Sequence, residues 1–118
     1  MAEHNLLGKK GEEIAQQFIA SKGFKVICTN WQFQHKEIDI IAYDKEILVF
    51  VEVKTRTENY WGNPEEFVSR KKQRLLISAA ESYIDSISFV GESRFDVISV
   101  IIDKDGTQIE HIIEAFYP

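Results

Sequence analysis

Three charged residues lie in this chain where apolar ones are expected. Asp39 falls within Glu37-Ile38-Asp39-Ile40-Ile41, and Glu52 and Lys54 within Phe50-Val51-Glu52-Val53-Lys54. A carboxylate buried among aliphatic side chains is costly unless it is paired or bound to a metal. Two carboxylates and a lysine can hold a divalent cation and a water beside a phosphate. Magnesium prefers octahedral oxygen ligands at about 2.0–2.1 Å and takes only one or two protein carboxylates. Asp39 and Glu52 would supply two, and the Val53 carbonyl is a candidate third ligand. Bound Mg2+ or Mn2+ would acidify a water and stabilise charge on phosphoryl oxygens. A protonated Lys54 cannot ligate a cation, so it would orient the attacking hydroxide and stabilise the pentavalent phosphate. The chemistry this points to is metal-dependent phosphodiester hydrolysis in nucleic acid.

The elements that must bring these groups together can be read from periodicity. Residues 37–43 and 47–56 alternate with period two, as strands do, and the short polar Asp44-Lys45-Glu46 predicts a hairpin. A turn centred on Lys45-Glu46 pairs residues whose numbers sum to 91, which sets Asp39 opposite Glu52; a turn one residue tighter shifts that register. Opposed residues on one face have Cβ atoms about 4.5–5.5 Å apart. Lys54 then shares the face of Glu52, and Glu37 that of Asp39. Upstream, Leu7, Gly11, Ile14, Ala15, Phe18 and Ile19 predict an amphipathic helix from Leu7 to Lys22, stopped by Gly23. A strand over Phe24–Cys28 ends near Asn30, and Trp31 to Lys36 reads as a connection. Residues 57–64 read as a loop whose Tyr60 and Trp61 either contact substrate or cover the core. A second helix starts between Pro64 and Ser69, where Asn63, Pro64 and Glu66 match helix-start preferences better than Ser69 does. Its apolar face is Val68, Leu75, Leu76, Ala79, Ala80 and Tyr83. Strands over 94–102 and 108–113 follow, joined by the turn Asp103-Lys104-Asp105-Gly106. The order α-β-β-β-α-β-β predicts an α/β fold, a three-layer α/β/α sandwich with a central mixed sheet, and a single domain over residues 1–118.

Composition narrows the function classes. At 118 residues, 44% hydrophobic and 28% charged, the chain has the make-up of a globular domain and not of a disordered segment. One cysteine, Cys28, excludes an internal disulfide and a thiolate zinc cluster. No stretch approaches the ~20 apolar residues of a membrane span. No signal peptide is visible, so the expected location is cytoplasmic and no membrane partner is expected. A net charge of −5 argues against strong nonspecific nucleic-acid binding. Arg70, Lys71, Lys72 and Arg74, however, form an acid-free cluster that could contact a phosphate backbone, with Lys72 facing inward toward the site. Arg56 is a candidate phosphate clamp, and Glu37 would either pair with it or bind a second metal. Glu12 could point over the sheet edge toward the site or complement the helix dipole, and residue chemistry divides those readings evenly. His35 reads more readily as a surface residue than as a phosphate neighbour. Arg94 and Asp96 share a strand face and suggest a structural ion pair.

Several runs together carry a family resemblance. Gly8-Lys9-Lys10-Gly11-Glu12, Gly23, Asn30-Trp31, Glu37-Ile38-Asp39-Ile40-Ile41-Ala42, Val49-Phe50-Val51-Glu52-Val53-Lys54-Thr55-Arg56 and Arg94-Phe95-Asp96-Val97 fall in the order of the YraN / UPF0102 family, which the chain resembles over nearly its whole length. That family is similar to the archaeal Holliday-junction resolvases and to the PD-(D/E)xK restriction-endonuclease-like fold. The resemblance implies a nucleic-acid-cleaving core, with DNA, branched DNA included, as the expected substrate and with catalytic Glu12, Asp39, Glu52 and Lys54. The interval from Glu12 to Gly23 matches that in the resolvases and favours Glu12 over Glu13. A homodimer is also implied. Lys36 stands where the family usually has glycine, and the acidic balance departs from the basic resolvases. Two other readings remain at this point: a non-catalytic nucleic-acid-binding accessory protein in recombination, repair or DNA processing, and a structural domain with a satisfied polar cluster.

Overall fold

The computed structural model describes residues 2–57 and 68–118. Helix α1 (Ala2–Ser21) is followed by β1 (Lys25–Phe33), β2 (Lys36–Asp44), β3 (Ile47–Arg56), α2 (Arg70–Ile87), β4 (Ser93–Asp103) and β5 (Gly106–Phe116). The strands form one sheet in the order β1-β2-β3-β4-β5. All neighbours are antiparallel except β3 and β4, which run parallel and are joined through α2. The sheet is therefore mixed.

The two helices cover opposite faces. Ala15 and Ile19 of α1 pack on Ile40, Ala42, Val49, Val51 and Ile98. Leu76, Ala79, Ala80 and Tyr83 of α2 pack on Ile41, Leu48, Phe50, Phe95 and Val97. This is the expected three-layer α/β/α arrangement. Leu48 to Val51 are all buried because β3 is covered on both sides, so it reads as a continuous apolar run rather than an alternating one.

The β2–β3 hairpin has the predicted register. Ile41 pairs with Phe50 and Asp44 with Ile47, and the turn sits at Lys45-Glu46 with Lys45 at φ 58°. Helix α1 starts at Ala2 rather than Leu7, and β5 is longer at both ends than the expected 108–113. Two further boundaries differ from expectation. First, β1 runs to Phe33, with Trp31 opposite Ile38 and Phe33 opposite Lys36. The segment reads as a connection because β1 is an edge strand with polar exposed residues such as Gln32 within it. Second, α2 begins at Arg70, with Ser69 as its cap: Ser69 Oγ accepts from the Lys72 backbone N–H at 3.1 Å. A serine in extended backbone just before the first turn satisfies one of its unpaired N–H groups. The expectation favours the cues at Asn63 and Pro64 instead. Those cues, together with Glu66, Tyr60 and Trp61, lie outside the described residues.

The far end of the sheet carries the expected Arg94–Asp96 ion pair, at 3.0 Å, within a larger network. Asp96 is fully buried, accepts from the Glu114 N–H at 3.1 Å and lies 2.7 Å from His111 Nε2. Lys22 Nζ is 2.8 Å from His111 Nδ1. An ammonium only donates, so Nδ1 accepts and the ring proton sits on Nε2, directed at Asp96. Burial opposes ionisation of Asp96, but His111, Arg94 and the Glu114 amide hold its carboxyl below the usual range. The network ties the end of α1 to β4 and β5. Among the described residues, no helix is long and apolar enough to cross a membrane.

Candidate active site

The site forms where the sheet loses its alternation. Strict period two would put Ile38 with Ile40 and Ala42, yet Ile38 joins Ile41 in the core beneath α2, while Ile40 and Ala42 face α1. Asp39 sits at this break. Across from it in β1, Asn30 takes a left-handed conformation, φ 52°. The regular β2–β3 pairing stops at Ile40–Val51. Beyond it the Val53 N–H donates to Asp39 Oδ2 at 2.8 Å, so a side chain takes the place of a backbone acceptor. A strand residue's N–H and C=O leave by the same edge, which turns the Val53 carbonyl toward Asp39 as well.

Glu12 reaches the same point from the other layer. At Gly11 an added Cβ would lie 1.9 Å from Thr55 Oγ1 and 2.8 Å from Thr55 Cβ, so only glycine lets α1 lie this close to β3. The next residue, Glu12, is carried to the sheet edge, whereas Glu13 is exposed. Asn30 Nδ2 donates to Glu12 Oε1 at 2.8 Å and to Glu37 Oε2 at 3.2 Å. Carboxylate oxygens of Glu12, Glu37 and Asp39 all lie within 4.8 Å of one another. Glu37 thus joins the carboxylates. Its face, shared with Asp39, was expected; the part of Asn30 was not legible in the pattern, and the available signal was that asparagine tolerates positive φ, which favours a strand kink there.

Two carboxyls here, Asp39 and Glu12, have raised pKa values. Asp39 is pushed up to about 8, first by burial and then by Glu52, Glu12 and Glu37, against the opposing Val53 N–H. Glu12 is also raised, by burial first and then by Glu37 and Glu52, with Asn30 opposing.

Glu52, buried, faces α2. Its Oε2 meets Lys72 Nζ at 2.5 Å and Lys54 Nζ at 3.5 Å. Burial and then Lys72 lower the pKa of Lys54, with Glu52 opposing. Burial would also lower that of Lys72, but Glu52 outweighs it and the pKa rises. A cleft of about 390 Å³ opens here, carrying Glu37, Asp39 and Glu52 together with His35, Lys36, Lys71 and Lys72.

The family model described as "Uncharacterised protein family UPF0102" matches residues 11–100. The chain belongs to the UPF0102 family. A UPF0102 protein of Flavobacterium psychrophilum is 47% identical over 99% of this chain and 98% of its own length. A UPF0102 protein of Christiangramia forsetii is 44% identical over 99% and 98%, and one of Phocaeicola vulgatus is 43% identical over 100% and 98%.

In this UPF0102 chain the donor set suits a hard cation. All three clustered ligands are carboxylate oxygens, without sulfur or imidazole. Oxygens around one octahedral Mg2+ lie about 3–4 Å apart, close to the spacing seen here. The expected basic run on α2 divides: Lys71 and Lys72 line the acid cleft, whereas Arg70 and Arg74 line a separate groove with Tyr117 and Pro118. Successive helical residues point about 100° apart, so four cations within five residues cannot share one cleft. Arg56, at the end of β3, donates to the Thr55 carbonyl at 3.2 Å.

Proposed function

We propose that this protein is a Mg2+- or Mn2+-dependent endonuclease with a restriction-endonuclease-like core, hydrolysing phosphodiester bonds in DNA, including branched DNA. The observation that carries this reading is the convergence of Glu12, Glu37 and Asp39 within 4.8 Å, next to a cleft lined by Glu37, Asp39 and Glu52, with Lys54 paired to Glu52. Glu12, Glu37 and Asp39 would hold the cation, with the Val53 carbonyl turned to the same edge. When bound, the cation lowers the pKa of its water and offsets phosphoryl charge. Lys54, its proton affinity reduced by burial and by Lys72, is suited to exchange a proton with the attacking water and to stabilise the phosphate. Lys71 and Lys72 offer phosphate contacts across the cleft. The cation would also offset local acidity that otherwise repels DNA.

Purified protein should cleave branched or single-stranded DNA in Mn2+, and Glu52→Ala should reduce the rate by at least about 100-fold. Equal cleavage by Glu52→Ala would show the activity to come from a contaminant and would reject the reading.

One observation favours a second reading, a non-catalytic nucleic-acid-binding accessory protein: on a chain of net charge −5, Arg70, Lys71, Lys72 and Arg74 gather at the start of α2 and line two grooves. Salt-sensitive DNA binding that persists in Asp39→Ala, without cleavage by the wild type, would support it.

A further inference from the structure

Helix α2 opens on three cations. Arg70, Lys71 and Lys72 follow the Ser69 cap directly, and no acid stands in the first turn. The helix dipole favours the opposite arrangement, with anions at the N-terminus. Lys72 nevertheless reaches across the cleft to Glu52 Oε2, the same oxygen that Lys54 approaches. Its side chain is 40% exposed, while that of Glu52 is only 5% exposed. The pair therefore joins a buried carboxylate to an ammonium at the cleft surface. Among the described residues, the group of mutually close ligand atoms consists of Glu12, Glu37 and Asp39, and Glu52 is not part of it. Glu52 directly precedes Val53, whose N–H donates to Asp39 Oδ2, so Glu52 sits beside Asp39 and a side-chain rotation would carry its carboxylate between the two states.

We propose that Lys72 is a positioning residue that holds Glu52 away from the Glu12–Glu37–Asp39 cluster until a cation and a phosphate arrive together. Glu52 then turns to the cation, and the freed ammonium takes the phosphate. This rests on the cation site proposed above. Its consequence is ordered loading: the cation alone binds weakly because Lys72 competes for Glu52 and repels the ion, and a bound phosphodiester relieves both effects by drawing Lys72 away.

Mn2+ binding, followed by the electron paramagnetic resonance of the free ion in the absence of DNA, tests this without any activity measurement. Lys72→Met and Lys72→Gln should each bind Mn2+ about tenfold more tightly than the wild type, because a positive charge close to the ion has been removed. Lys72→Arg should restore the wild-type value within about twofold, since the charge returns. Lys104→Met, at an exposed lysine in the β4–β5 turn, controls for net charge and should change nothing. Unchanged or weaker binding in both neutral Lys72 variants, with wild-type binding intact, overturns the inference and leaves the cation site standing. Wild-type binding that is absent, or that is insensitive to Asp39→Asn, overturns the cation site and this inference with it.

Discussion

Asp39→Asn should make the cation-free protein more stable at pH ~8 and, in the same step, abolish its response to divalent ions. The carboxyl of Asp39 titrates near 3.8 in an ordinary setting and at about 8 here, with burial the main cause and Glu52, Glu12 and Glu37 adding to it. Between those values the folded protein holds a proton that the unfolded chain has lost. This group's contribution is therefore complete below the unfolded value and is lost as pH rises toward the folded one. At about 1.4 kcal/mol per pKa unit, the span from 3.8 to about 8 corresponds to a loss of order 5 kcal/mol. Glu12, raised by burial and its acidic neighbours, acts in the same direction. Asp96, held low, contributes stability that disappears only as pH falls below the ordinary carboxylate value, so it does not mask the trend. An asparagine at position 39 can still accept the Val53 N–H through its carbonyl, which preserves the local geometry.

Urea denaturation in chelator at pH ~5, ~6.5 and ~8 measures this directly. Wild-type stability should fall across the series, while that of Asp39→Asn should fall less and exceed the wild type at the top. Mn2+ at about 100 times its Kd should return about 2.7 kcal/mol to the wild type and nothing to the variant. A flat wild-type profile, or a variant less stable than the wild type at pH ~8, would contradict the electrostatic account of the cluster.

Gly11→Ala should destabilise the fold by about 2–3 kcal/mol, in contrast to the usual gain when a helical glycine becomes alanine. The methyl group would meet Thr55 Oγ1 at 1.9 Å and both Thr55 Cβ and Cγ2 at 2.8 Å, a branched side chain anchored in β3. Helix α1 must then lift, and Glu12, the next residue, lifts with it. Mn2+ affinity should therefore fall about tenfold even at temperatures where the variant remains folded. Gly8→Ala is the internal control. Nothing lies within 4 Å of its added methyl, so a gain of about 0.5–1 kcal/mol is expected. Thr55→Ala should rescue Gly11→Ala only partly, because Thr55 Cβ itself is too close; Thr55→Gly should rescue it further. Loss of stability at Gly8 equal to that at Gly11 would show that the close approach to β3 is not the cause.

What could be read along the chain was whatever neighbouring residues decide. The hairpin register follows from a two-residue polar turn and period-two alternation, so the pairing about Lys45-Glu46 and the approach of Asp39 to Glu52 were legible. The element order was legible for the same reason, whereas the burial of β3 on both faces was not, since alternation was expected and Leu48 to Val51 are all buried. The full length of β1 was not, because an edge strand shows polar residues to solvent and resembles a loop. Nor was the start of α2, where a single hydroxyl–amide bond from Ser69 sets the boundary.

By itself the sequence determined which elements form, the hairpin that brings two acids together, and membership of the UPF0102 family. Tertiary structure decided between the two open readings of Glu12, drew Asn30 to both Glu12 and Glu37, and closed Lys72, expected only to face inward, on Glu52. The reason is physical: each of these contacts depends on how two layers seat against the sheet. Seating is set by single close approaches, such as Gly11 on Thr55, that leave no periodic trace along the chain.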